Sequence, residues 1–499
     1  MEDSLSNCDP QKDAFPQQDL VKEGGLVFHI GKNLSESQYC DTSNSPHLGE
    51  NVESLDKNGS GFFNPAMVVY RDFIVLTSKL LYKKQMESFI EFQENFDTTK
   101  PLNDPQSPFH FLDPFSGCGP LPIRIMTELV KTKKELKEKY ISNPQSSIEC
   151  TSFPEFPIQV SANDLSEDCK NLIETNGIQN GLINTKLISD GSKKFSISSN
   201  DANLFLHTIN SFQNDKYKPA SHIHLDPFGC CTPYLDSAMS ALDIQVKKEG
   251  SCSGVLSLTA TDIGVLYDRR YINNCRRHYN ILHLEKKRSN NFREQAVRIV
   301  LHAIASSAGR VRDAGIKKVF YAFPYAHFIL VAVEIDFKSK NETISKLKMS
   351  KTNEGPFYMG ELFHGDFISD MKQQTKNDQN VYSKETLKIL EKILSNDCFY
   401  RSESSSVITT PTILLPWFHC LPDLSKKLGL ARIPKKDKLI SYMQEKGYIV
   451  TGTVFDPNGI KLGRALNNQQ TEETHNEEEV LISKMILEMI AESKNDRNI

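Results

Sequence analysis

The chain is expected to fold as an α/β protein, with a mostly parallel Rossmann-like sheet flanked by crossover helices and a smaller α+β C-terminal domain. Three observations predict this. Between residues 109 and 262, short apolar runs alternate with segments of helical period, the grammar of parallel strands joined by helices. Each of those runs stops at an acidic residue, in the position where ligands of open parallel sheets collect. Beyond Lys317 the alternation ends, and the stretch KKVFYAFPYAHFILVAVEID leads into short mixed elements.

The polar first 50 residues read as a flexible arm in which only Lys22 to Ile30 has strand character. Asn64-Pro65 then opens an amphipathic helix carrying Met67, Phe73, Ile74, Leu76, Leu80 and Leu81. A strand at Phe109 to Leu112 ends in Asp113 and a Gly-rich turn, PFSGCGPLPIRIMTELV, that enters a helix. Ile158 to Ala162 ends in Asn163-Asp164, with Ser166 suited to cap the next helix. A third strand end falls at Asn200-Asp201-Ala202, and His222 to Leu225 ends in Asp226-Pro227-Phe228-Gly229 before a helix with Leu235, Ala238, Met239, Ala241 and Leu242. A fifth strand, Gly254 to Thr259, ends in Ala260-Thr261-Asp262. Helical patterning covers Ser383 to Asn396, Pro411 to Lys461 suggests a winged-helix-like unit, and an acidic, solvated tail ends in a helix over Val480 to Ile490. The boundaries that follow are 1–50 for the arm, 51–315 for the sheet domain, 316–466 for the C-terminal domain and 467–499 for the tail.

Composition narrows the function classes. No apolar run approaches the ~20 residues that span a bilayer, so no membrane contact is expected, and the acidic start lacks the plan of a secretory signal. An intracellular protein is expected, with the nucleus named ahead of the cytoplasm and the mitochondrion. The eleven cysteines include no Cys-x-x-Cys pair and are read as reduced thiols. A net charge of -4 does not advertise a polyanion binder, yet local basic clusters exist. They are Lys131, Lys133, Lys134, Lys137 and Lys139; Arg269, Arg270, Arg276, Arg277, Lys286, Lys287 and Arg288; and Lys426, Lys427, Arg432, Lys435 and Lys436. Each taken singly is as well explained by a solvated face.

Gly117-x-Gly119 is only a fragment of a dinucleotide-binding turn and does not identify a cofactor. The Asp226-Pro227-Phe228-Gly229 tetrad discriminates, because it resembles the Asp-Pro-Pro-aromatic signature of methyltransferases that modify amino groups. The nitrogen of such a group is a poor nucleophile, its lone pair being delocalised into the base, and it needs acceptors that hold its N–H bonds during attack. Asp226 offers a carboxylate, Pro227 a carbonyl on a stiff turn, and Phe228 a face for an unstacked base. Asp164, ending the second strand, is placed for ribose hydroxyls, and Asp201, ending the third, for an adenine amino group. For each of these carboxylates the plainer alternative is a helix cap.

The ensemble resembles the tRNA (guanine-26-N2)-dimethyltransferase family over roughly Lys22 to Lys461. The matching stretches are Phe63-Asn64-Pro65 with Arg71-Asp72, Ser116 to Gly119 with Ile123-Arg124, Asn163-Asp164, Asp201-Ala202-Asn203, Leu225 to Gly229 with Pro233-x-Leu235-Asp236, Thr259 to Asp262, Gly355-Pro356, and Phe455-x-Pro457-x-Gly459-Ile460-Lys461. The resemblance implies a class I methyltransferase that uses S-adenosyl-L-methionine and transfers two methyls in succession to one guanine nitrogen of tRNA. Arg71, Asp113, Gly117, Gly119, Arg124, Asp164, Asp201 and Ala202 would line the cofactor pocket. Asp226, Pro227 and Phe228 would hold the guanine, and the C-terminal domain would grip the tRNA. Three departures stand out: Leu121 occupies the family's usual arginine position, leaving Arg124 as the nearest; Tyr70 stands where Asn is usual; and Tyr358 replaces a common Trp. Eukaryotic members often carry a cysteine-paired zinc element before the Gly-Pro loop, whereas Lys338 to Glu354 has no cysteine, so no metal is expected. Two other readings stay open, a catalytically silent tRNA-binding relative and an amino-methyltransferase of another RNA or DNA base.

Overall fold

The structure, a computed structural model, describes residues 20–30, 63–94, 108–142, 156–183, 193–210, 219–243, 254–286, 288–350, 353–397, 412–465 and 475–495. The predicted flexibility of the arm falls outside the described residues except at 20–30. There, β1 (Leu20–Glu23) and β2 (Leu26–His29) form an antiparallel hairpin.

Seven strands build the main sheet: β3 (Phe109–Asp113), β4 (Ile158–Asp164), β5 (Lys193–Ser199), β6 (His222–Leu225), β7 (Val255–Ala260), β8 (Gly315–Tyr325) and β9 (Phe328–Asp336). Their order is β5-β4-β3-β6-β7-β9-β8. The five from β5 to β7 run parallel, and β9 is antiparallel to both neighbours. The order reverses between β3 and β6, which places the crevice for a ligand at the carboxyl ends of those two strands.

The crossovers are α2 (Pro120–Ile141), α3 (Glu167–Gln179), α4 (Ala202–Asn210), α5 (Leu235–Ala241), α6 (Ile263–Tyr267), α7 (Ile272–Tyr279) and α8 (Phe292–Arg312), preceded by the long α1 (Val68–Glu94). Ser166 caps α3 as predicted, its hydroxyl accepting from the Cys169 amide. The membership of β8 and β9 corrects the boundary drawn at 315: both strands complete the main sheet rather than begin a C-terminal unit. Their near-continuous apolar run fits burial on both faces.

The expectation of an amphipathic α1 is also corrected. Every residue from 69 to 82 is buried, because the sheet lies on one side and α10 (Gly365–Asn377) with α11 (Lys384–Asn396) on the other. Its polar residues find protein partners instead of water. Thr77 bonds Tyr321 at 2.8 Å, Ser78 bonds His222 at 2.8 Å, and Lys79 reaches Asp378 at 2.9 Å.

Past α9 (Lys340–Lys346) and the short pair β10 (Leu347–Lys348) and β11 (Phe357–Tyr358), the C-terminal unit has β15 (Gly459–Ala465) as its hub. Antiparallel to it run β12 (Thr412–Leu414), β13 (His419–Cys420) and β14 (Val450–Gly452), with α12 (Leu421–Lys427) and α13 (Lys436–Glu445) packed alongside. The reading of a solvated tail is overturned here. Helix α14 (His475–Asn495) gives Ile482, Met485 and Ile486 to this unit's core, beside Leu421, Leu439 and Ile460. It is fastened by Glu478 to His419 at 2.9 Å, buried, and by Glu479 to Lys427 at 2.6 Å. No described helix is long and apolar enough to cross a membrane.

Candidate active site at the carboxyl edge of the sheet

Five carboxylates stand along one edge of the sheet in strand order: Asp201 after β5, Asp164 at the end of β4, Asp113 at the end of β3, Asp226 after β6 and Asp262 after β7. The switch point lies between Asp113 and Asp226. Asp113 is buried, and burial pushes its carboxyl up to about 8; the Phe115 amide, donating at 3.1 Å, draws it down, while Asp226 and Asp164 add like charge. Among the described residues it has no ion-pair partner.

The turn after β3 is fitted to β4 by backbone. Gly117 and Gly119 take φ of +53° and +87°, a region that side chains other than glycine's rarely occupy. The Gly117 amide donates to Asp164 Oδ2 at 2.9 Å, and the Ser166 amide to Oδ1 at 3.0 Å. Each carboxylate oxygen keeps one lone pair for a further donor. Asn163, unremarked in the sequence beyond its place in a motif, stitches the site together. Its amide nitrogen donates to the carbonyls of Pro114 (3.2 Å) and Asn200 (2.9 Å), while its oxygen accepts from Ser198 at 2.8 Å. Asp201 Oδ1 accepts the amides of Asn203 and Leu204 at 3.0 and 3.1 Å, so it is a cap of α4, with its second oxygen making no such bond among the described residues; Ala202 beside it is buried.

On the other side of the switch point, Asp226 Oδ1 accepts a hydrogen bond from the Thr259 hydroxyl. Burial raises its carboxyl, against hydrogen bonds from Thr259 and Tyr70 and the charge of Arg71 that lower it. Tyr70 is thus part of the site, although the sequence marked it only as a departure. It is buried, its ring lies 5.5 Å from that of His224 in a near-parallel stack, and Phe328 meets it edge-on at 6.1 Å. Burial holds His224 down at about 3, so the stacked imidazole is neutral. Pro227 is buried and Phe228 is 81% exposed on a tight turn closed by Gly229, which takes φ of +80°. A carboxylate, a nearby carbonyl and an exposed aromatic side chain therefore sit together at the switch point. That set can accept N–H bonds from a planar amine-bearing ring laid on Phe228.

The arginines are placed differently from expectation. Arg71 is buried in a forked pair with Glu23 of β1, at 2.7 Å from Nε and 2.5 Å from Nη2. Arg124 of α2 is buried, bonded to Glu23 at 2.8 Å, to Asp72 at 2.6 Å and to the Val381 carbonyl at 3.2 Å. The N–H fork of Arg124, expected at the cofactor pocket, is thus directed at these partners. Asp72 in turn accepts from the Ser383 amide and the Thr386 hydroxyl, both at 2.8 Å. Burial would raise the Glu23 carboxyl, but the two arginines hold it below its ordinary range.

A sequence profile described as N2,N2-dimethylguanosine tRNA methyltransferase matches residues 154–347. This stretch of the chain is similar to that family. A tRNA (guanine(26)-N(2))-dimethyltransferase of Methanococcus maripaludis is 25% identical over 433 residues, covering 83% of this chain and 92% of that protein. A rat tRNA (guanine(27)-N(2))-dimethyltransferase is 26% identical over 355 residues, 65% of this chain but only 39% of the relative. The structure of Trm1 from Pyrococcus horikoshii with S-adenosyl-L-methionine superposes with a TM-score of 0.59 at 22% identity, covering 89% of this chain and 96% of that one. That likeness is one of fold: a Rossmann-like sheet domain followed by a C-terminal unit.

Proposed function

We propose that this chain is an S-adenosyl-L-methionine-dependent enzyme that methylates N2 of a guanine in tRNA, with guanine 26 as the first target. The observation that carries the reading is the Asp226-Pro227-Phe228 turn at the topological switch point, beside a buried, unpaired Asp113. The residues fit such a cofactor. Its sulfonium and amino group are cationic, and the site offers Asp113 without a counter-ion and Asp164 with lone pairs to spare for ribose hydroxyls. When bound, S-adenosyl-L-methionine supplies an electrophilic methyl group. Asp226 and the Pro227 carbonyl accept the N–H bonds of guanine, Phe228 supports the ring, and Thr259 with Tyr70 keeps the Asp226 carboxyl oriented. As the nitrogen forms its new bond to carbon, the proton it sheds passes to Asp226 or through it to solvent.

Recognition of tRNA is assigned to α7 and the C-terminal unit. Lys131 of the first basic cluster pairs with Glu135 and Asp378, and Lys134 with Glu138, as a solvated face would. By contrast Arg276, Lys286, Arg288, Lys426, Arg432 and Lys435 have no acidic partner within ion-pair distance among the described residues. Such cations displace counterions from phosphates. The likeness to the rat protein favours a second reading, guanine 27, and transcripts carrying adenine at 26 or at 27 separate the two by which one loses the methyl group.

Calorimetric titration with S-adenosyl-L-methionine, followed by methyl transfer to unmodified tRNA transcript and nucleoside mapping, tests the reading. Asp164→Ala is expected to weaken cofactor binding about 10- to 100-fold, the loss of one or two charge-assisted hydrogen bonds. A wild-type protein that binds no cofactor would move the weight to a catalytically silent tRNA-binding relative.

A pH dependence follows from Asp113. A carboxyl held up at about 8 carries its proton below that pH, and a cation favours the ionised form. Cofactor affinity is therefore expected to rise between about pH 6 and 8 and then level off, with a proton released on binding. Calorimetry in buffers of different ionisation heat reads that proton directly; an affinity flat across the range would place Asp113 away from the cation.

A further inference from the structure

Immediately behind the Asp226 turn, three separate segments are fastened to one another. The Gly229 amide donates to Thr261 Oγ1 at 2.7 Å, and the Thr261 amide donates back to the Gly229 carbonyl at 3.3 Å. The next residues along the two segments, Cys230 and Asp262, are thereby held in register. Tyr279, the last residue of α7, donates its hydroxyl to Asp262 Oδ1 at 2.6 Å, and its neighbour is His278. Cys230, Asp262 and His278 thus each sit one residue from an anchor or are anchored themselves. One ligand atom from each, Sγ, a carboxylate oxygen and a ring nitrogen, lies within 4.8 Å of the other two.

One polar atom in this cluster lacks what burial demands. Asp262 Oδ2 is out of contact with water and makes no hydrogen bond of good geometry among the described residues, while Oδ1 is held by Tyr279; the Cys230 thiol lies beside this carboxyl and lowers it, and Cys230 Sγ is itself 3.1 Å from Thr232 Oγ1. Leaving a buried acceptor unsatisfied is unfavourable, more so if it is charged. The usual remedies are a proton or a cation. Thiolate, carboxylate and imidazole in one cluster select a borderline cation over magnesium or calcium, which prefer oxygen alone.

We propose that Cys230, Asp262 and His278 form a binding site for a divalent transition-metal ion, zinc by its ligand set. Three protein ligands leave one position of a tetrahedron for water or an incoming ligand. Metal–ligand bonds of about 2.0–2.3 Å require the three atoms to draw together. The exposed His278 and the half-buried Cys230 can do this by side-chain rotation. Tyr279 serves as the outer-shell donor that orients the carboxylate. Binding converts the Cys230 thiol to a thiolate, its proton going to solvent. The ion joins α7 to the turn that presents Phe228. The expectation of a metal-free chain rested on the cysteine-free Lys338 to Glu354 loop, and these ligands lie on other elements, 16 to 48 residues apart in the chain.

The test is independent of methyl transfer. The full chain, stripped with chelator, is titrated with Co²⁺. Binding of about one equivalent is expected, with a near-ultraviolet thiolate-to-cobalt charge-transfer band that Zn²⁺ abolishes by displacement. Cys230→Ser removes the band, and His278→Gln weakens Co²⁺ binding at least about tenfold. Far-UV circular dichroism checks that both variants fold, and the exposed His278 can be replaced without opening the core. A wild-type protein without the band overturns the proposal. So does a band that persists in Cys230→Ser, which would assign the ion to another of the eleven cysteines, or Co²⁺ affinity unchanged in His278→Gln.

Discussion

Asp226→Asn is expected to lower the rate of methyl transfer about 10²- to 10⁴-fold while leaving S-adenosyl-L-methionine affinity within a few-fold of wild type. Asparagine keeps the size of the side chain and an oxygen for the Thr259 hydroxyl. What it loses is the charge that holds the N–H bonds of the attacking amine and takes up its proton. Single-turnover rates beside calorimetric affinities separate the two quantities. Equal losses in both would move Asp226 into the cofactor pocket, and an unchanged rate would remove it from the chemistry.

The second large effect is on stability. Glu23→Gln is expected to destabilise the protein by about 3–5 kcal/mol, the cost of leaving buried charge without its counter-ion. Arg71, Arg124, Glu23 and Asp72 form a closed set of two cations and two anions, all nearly inaccessible. The substitution leaves two guanidinium groups facing one carboxylate. Lys22→Gln, exposed on the same strand, is the control and is expected to change stability by no more than about 0.5 kcal/mol. Denaturant or thermal unfolding of the pair reads the difference; equal behaviour would mean that water or rearranged side chains compensate the arginines.

Much of the site was legible in the sequence because it is written locally. An apolar run with an acidic residue within the next two positions marks a strand end, and four such ends, with Asp201 as the fifth acidic end, fall along one sheet edge. Ser166 announces a helix start by its own side chain. What could not be read depends on partners far along the chain. Glu23 is an ordinary polar residue until it meets Arg71 and Arg124, 48 and 101 residues away. Tyr70 acquires its role from His224 and Asp226. The polar residues of α1 suggested a solvent face, and instead they bond residues of the sheet and of the α10–α11 region. The strands β8 and β9 carry no local mark of which sheet they join; pairing with β7 decides it.

The β1–β2 hairpin sets an order of events for a chain that emerges from its N-terminus. Asn176 and Asn180 on and beside α3 clasp its backbone at His29 and Val27, across 147 and 153 residues. Glu23 has its two arginines available much earlier, but the backbone of the hairpin that carries it is clasped only once α3 has formed. Contacts of such separation close loops late and slow the search for the native state. Among the described residues, the strand nearest the N-terminus is therefore among the last to be secured, once the second strand-helix unit has arrived.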